Sequence, residues 1–84
     1  MAWKAKVVSK SGLYLEGSVS VGLEFFDDAD PLTILHRSTE IFQASFSLAE
    51  LQARAKQVGA EARRKHLQVD LLLASIPLNA EVVI

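Results

Sequence analysis

From Leu13 to Phe25 the chain alternates between two kinds of side chain, and this run narrows the possible folds more than any other stretch. Odd positions carry Leu13, Leu15, Gly17, Val19, Val21, Leu23 and Phe25; even positions carry Tyr14, Glu16, Ser18, Ser20, Gly22 and Glu24. Successive side chains of a strand point to opposite faces, so the pattern makes one apolar face and one polar or small one. Wound as a helix, the same residues would scatter their apolar side chains around the axis. The run predicts a strand over about 13–26, buried on one side, with Gly17 or Gly22 marking a bend or bulge.

The flanking segments supply partners for it. Trp3, Ala5 and Val7 alternate with Lys4, Lys6 and Val8, which predicts a strand over about 3–9 and a tight turn at Lys10-Ser11-Gly12. Asp27-Asp28-Ala29-Asp30-Pro31 reads as a second turn. Residues 33–44, rich in Thr, Ile and Phe, read as a third strand. His36, Arg37 and Glu40 interrupt both of its faces, as an edge strand tolerates.

At Ser47 the period changes. Ser47-Leu48-Ala49-Glu50 has the spacing of a capping box, and Phe46 and Leu51 have that of a hydrophobic staple. Leu51, Ala55, Val58, Ala62 and Val69 then form one stripe of a helix over about 48–68. Glu50–Arg54 and Glu61–Lys65 support it at i,i+4. Leu71-Leu72-Leu73 either prolongs the helix or forms a short apolar packing segment. Pro77 favours an extended departure, and residues 77–84 end in Val82-Val83-Ile84. That arm either adds a fourth strand to its own sheet or adds to a neighbour's sheet or groove.

The expected fold class is therefore α+β: an antiparallel three-stranded β-meander with one amphipathic helix packed on it, and an apolar C-terminal arm. Residues 1–76 form one domain, with the helix stripe meeting Leu15, Val19, Val21, Leu23 and Phe25. Eighty-four residues suffice for one domain and leave a thin margin of stability. With no cysteine, disulfides, thiolate zinc sites and cysteine nucleophiles are excluded from this chain. Two histidines are poor material for a structural metal. Association with another chain is the reinforcement this composition fits best, and a positive mean hydropathy of +0.22 agrees with that.

Sites of chemistry are harder to find. Asp27, Asp28 and Asp30 resemble hard-cation ligands but lack the rest of a calcium loop, so turn chemistry is the simpler account. Arg63, Arg64 and Lys65, with Arg54 and Lys56 against Glu50 and Glu61, make the helix basic. They could contact a phosphate backbone, or they could form a solvated face placed well against the helix dipole. No recognised DNA-reading motif accompanies them, and the whole chain carries 9 Lys and Arg against 10 Asp and Glu, a net charge of -1. His36 and His66 have no carboxylate or nucleophile placed by a motif, and no phosphate loop or nucleophile elbow occurs. The expectation is a protein that is not an enzyme, with no cofactor, no metal and no small-molecule substrate. The first residues lack a signal core and no apolar run approaches spanning length, which predicts a soluble chain with no membrane partner.

The order of these features resembles small proteins encoded among the structural genes of tailed bacteriophages. The likeness lies in the opening Met-Ala-Trp-Lys-Ala-Lys-Val-Val strand, the long alternating strand, the acidic turn and the Thr/Phe-rich strand. It extends to the alanine-rich helix beginning Ser47-Leu48-Ala49-Glu50-Leu51-Gln52-Ala53-Arg54, and covers most of residues 1–66. It implies a virion or tail-assembly component, present in many symmetric copies and without catalytic residues. The expected partners are copies of itself or a larger virion protein. The expected location is the virion if the chain is phage-encoded and the cytoplasm otherwise. The interface residues expected from the apolar arm are Leu78, Val82, Val83 and Ile84, with Trp3 as an anchor. The alternative function is a small regulatory or nucleic-acid-associated protein using Arg63, Arg64 and Lys65.

Overall fold

The computed structural model describes residues 2–43, 45–79 and 81–84. Met1, Ala44 at the expected end of the third strand and Ala80 in the arm lie outside the described residues. The chain is an α+β meander: β1 (Trp3–Leu13), β2 (Ser18–Asp27) and β3 (Asp30–Gln43), followed by α1 (Leu48–Ser75). The sheet is antiparallel in the order β1-β2-β3.

The first hairpin corrects the expected turn. β1 runs past Lys10-Ser11-Gly12 to Leu13, which pairs with Ser18. The chain reverses over residues 14–17, where the Glu16 amide donates to the Leu13 carbonyl and Gly17 takes φ 63°. Leu15 and Tyr14 alternate in phase with the strand beyond them, so the turn was hidden inside the pattern. Leu15 is fully exposed in that turn and does not meet the helix. The irregularities lie in the strands on either side of β2: β3 has Leu35 left over between the pairs Phe25–His36 and Phe26–Ile34, and β1 has a bulge. Val8 is the extra residue between the pairs Val7–Leu23 and Ser9–Gly22, and a Cβ on Gly22 would collide with the Ser9 hydroxyl.

The second hairpin consumes its acidic residues locally. Asp27 pairs with Asp30, and the Asp27 carboxylate accepts from the Ala29 amide at 2.9 Å. The Asp30 carboxylate accepts from the Thr33 hydroxyl at 2.6 Å. Asp28 and Ala2 exchange two bonds: the Ala2 amide donates to Asp28 Oδ1 at 3.0 Å, and the Asp28 amide to the Ala2 carbonyl at 2.9 Å. The Ala2 bond, the largest influence, holds the Asp28 carboxyl below the usual carboxylate range; Asp27 and Lys4 act in the same direction against some desolvation.

Val21, Leu23 and Phe25 of β2 and Phe42 of β3 form the buried core. The register places His36, Ser38, Glu40 and Phe42 on the same face, which explains the interrupted alternation of β3: its helix-side positions are partly polar. Glu40 there meets Arg54 at 3.4 Å, and the Arg54 guanidinium lies 5.0 Å from the Phe42 ring centre. On the opposite face Glu24 sits between Lys6 and Arg37, bonded to Arg37 at 3.0 Å.

The helix begins as expected. Ser47 has the extended φ and ψ of an N-cap and its hydroxyl accepts from the Glu50 amide at 3.3 Å; the reciprocal bond from Glu50 is not formed among the described residues. Phe46, Leu51, Ala55 and Val58 pack on the core, and Gly59 lets the helix rest on Phe25, whose ring lies 3.2 Å from where a Cβ would stand. The far end is a correction. The helix passes residue 68 and takes in Leu71–Leu73, ending at Ser75 because Ile76, held extended before Pro77, cannot continue it.

Candidate association surface

The helix outruns the sheet. Twenty-eight residues at about 1.5 Å each make a rod of about 42 Å. It crosses the sheet from the Phe42 and Phe46 end to Trp3, whose ring meets His66 edge-on at 5.6 Å. Residues 63–75 are all exposed, His66 among them. The consequence is an elongated molecule, 58 × 32 × 19 Å, with a radius of gyration of 17.5 Å. A compact chain of this length would have about 12 Å.

The stripe does not stop where the sheet stops. Leu51, Ala55, Val58 and Ala62 are half-buried, and the same four-three spacing continues through Lys65, Val69, Leu72 and Ile76. Val69 is 52% exposed, Leu72 64%, and Ile76 66%. Leu73 lies beside them, and Leu67 and Leu71 occupy other faces of the same turns, also exposed. Water touching so many large apolar side chains is unfavourable, and contiguous patches of this kind mark interaction sites.

Of the interface residues expected from sequence, Leu78, Val82, Val83 and Ile84 are all exposed, and residues 81–84 form no strand. Among the described residues the sheet gains no fourth strand from the arm. Trp3 differs: it is half-buried, packed against the core and occupied by His66. Arg63, Arg64 and Lys65 are exposed on the helix, but Lys65 is paired with Glu61 at 3.4 Å. Arg63 faces an open cleft of about 560 Å³ that also holds Trp3, Asp27, Asp30, His66 and Asp70. His66 Nδ1 lies 3.7 Å from the Asp70 carboxylate, while His36 sits against Phe25 with ring centres 5.6 Å apart. Among the described residues no group of three or more His, Asp or Glu is placed to hold a metal ion, and no helix is long and apolar enough to cross a membrane.

Sequence reasoning missed the distal stripe as a surface, because Leu71–Leu73 read equally as buried packing. The signal was the unbroken spacing from Leu51 to Ile76.

The class defined by this architecture is an α+β meander with a projecting helix. Comparison with known proteins finds no matching family model, no similar curated protein and no similar solved structure.

Proposed function

We propose that this chain is a non-enzymatic structural or assembly protein that works by association, as a small component of a tailed-phage particle. The observation that carries the reading is the distal helix with its arm: Val69, Leu72, Leu73, Ile76, Leu78 and Val82–Ile84 stay in water although the fold has a core to bury them in. Residues not used by a small core and not used by chemistry are available to a partner. The phage assignment is supported by the resemblance of residues 1–66 described above, and the association by the surface. Light scattering after size exclusion, on the full chain and on a chain ending at Ile76, tests the reading. The full chain should run as an assembly and the shortened one should be smaller and still folded. A full-length monomer indifferent to the deletion overturns it.

A second reading, nucleic-acid contact through Arg63, Arg64 and Lys65, is supported by their exposure on the projecting helix. It is the weaker one, since Lys65 is paired and Asp27, Asp30 and Asp70 line the cleft that Arg63 faces. Salt-sensitive DNA binding, lost when the three residues become Gln, would favour it.

A further inference from the structure

We infer that the distal helix is the pairing element of a two-fold dimer, in which the helices of two copies of this chain run antiparallel along Lys65, Val69, Leu72 and Ile76. The inference rests on the association reading above and names the partner and its geometry.

Spacing is the first argument. Leu51, Ala55, Val58, Ala62, Lys65, Val69, Leu72 and Ile76 fall at alternate intervals of four and three residues, the repeat of a helix seam that packs side chains into a facing helix. The sheet occupies that seam as far as Ala62, and the Trp3–His66 contact marks its limit. Past it, Val69, Leu72 and Ile76 are exposed and Lys65 is paired, among the described residues, only with Glu61 of its own helix, so a partner helix would extend a stripe that already packs within the chain.

Sterics choose the direction. The sheet lies on the same side of the helix as the seam, because Arg54 reaches β3 on one flank while Trp3 approaches His66 on the other. A parallel partner on this seam would bring its own sheet into the space this sheet fills. An antiparallel partner places its sheet beyond Ile76, where nothing of this chain's sheet stands. The seam then pairs Val69 with Leu72 of the second copy, Leu72 with Val69, and Lys65 with Ile76.

Charge agrees. The last turn of the helix carries no basic residue, so its exposed carbonyls lack a cation within the chain. Antiparallel pairing sets Lys65 of each copy, exposed beside its Glu61 partner, near that end of the other, with Arg63 and Arg64 in the same turn and the Lys65 stem lying across Ile76. Parallel pairing would instead stack the three cations of one copy against those of the other.

Area assigns the arm a part. About three turns of helix against helix fall short of the ~1,200 Å² that a stable interface buries. Since Ile76 of one copy stands level with Lys65 of the other, less than a turn past Ala62, residues 77–84 leave the helix beside the second copy's sheet. Leu78, Val82, Val83 and Ile84 then have an apolar and strand-edged surface to cover.

The absence of cysteine makes the test clean. Two single variants, Lys65→Cys and Ile76→Cys, one carrying a mass tag, are mixed, checked for helix content by circular dichroism and oxidised. Antiparallel pairing predicts the mixed 65–76 disulfide dimer and almost no same-variant dimer, because identical residues then lie about 16 Å apart along the axis. Dominant 65–65 and 76–76 dimers would mean parallel pairing and overturn the inference. Light scattering distinguishes the remaining failures. A full-length oligomer that forms no disulfide associates through another surface, which sinks the pairing and leaves the assembly reading standing; a monomer sinks both. Leu72→Asp, at a position exposed in the single chain, should weaken dimerisation roughly 30-fold or more while leaving the fold intact. Unchanged dimerisation in that variant also overturns the pairing.

Discussion

The two halves of the single helix are alike in sequence and opposite in circumstance. Residues 48–62 carry Leu51, Ala55, Val58 and Gly59 down onto a sheet whose buried residues are Val21, Leu23, Phe25 and Phe42. Residues 63–75 repeat the stripe with larger side chains, Val69, Leu72 and Leu73, and touch almost nothing. Periodicity alone gives both halves the same face. What separates them is where the sheet ends beneath the helix: from the Phe42 and Phe46 end the helix reaches Trp3 at His66 and then leaves the sheet behind. An amphipathic stripe therefore states that a helix wants a partner, and the neighbouring element decides how much of that demand is met inside the chain.

Truncation on either side of the boundary should separate the halves most strongly. Phe25→Ala removes a ring 2% exposed and pressed against Gly59, and should cost about 3–5 kcal/mol. For a domain this small that approaches the whole of its stability. Leu73→Ala, measured by urea unfolding at low protein concentration, should stay within about 0.5 kcal/mol of the parent. Equal losses at the two sites would erase the distinction.

Enlargement gives a smaller contrast. Gly59→Leu puts a side chain where a Cβ alone would stand 3.2 Å from Phe25, and should destabilise by about 1–3 kcal/mol through forced repacking. Ala74→Leu, a gain one carbon smaller on the exposed half, should leave the unfolding free energy within about 0.5 kcal/mol of the parent.

The weakest effect is a pH dependence at the clasp between Ala2 and Asp28, near the end of the covered half. The Asp28 carboxyl is held below its ordinary value of 3.8 by the Ala2 amide. The unfolded chain thus binds that proton more readily, and the clasp's stabilisation is present above the ordinary value and lost as pH falls through the lower folded one. Asp28→Asn should flatten the acid side of a plot of urea midpoint against pH slightly, the group being exposed. An unchanged profile would remove Asp28 from the account.

Most of the fold could be read from residues whose chemistry is local. The alternation from Val19 to Phe25 is in phase with the buried face, and Ser47 caps the helix where its hydroxyl said it would. The turn was misplaced because Leu13 and Leu15 keep strand period through a reversal. Only Gly17, with its positive φ, betrayed it, and glycine was also acceptable as a bulge. Helix length was underestimated because Leu71–Leu73 has no local stop signal before Pro77. The surface was less legible than the fold. Exposure of Leu72 depends on where a strand ends some 45 residues earlier in the chain, a relation that no local pattern encodes.

A rod clamped along one half and free along the other is a cantilever. Past the Trp3–His66 contact the free portion, residues 67–75, is about 14 Å long. A load applied near Ile76 is carried to the clamp at Trp3 and His66 and on to the layer where Gly59 lies on Phe25. Tension in an assembly would thereby be felt as strain in the core of each subunit, and the grip of Phe25 would set the force at which the helix peels away.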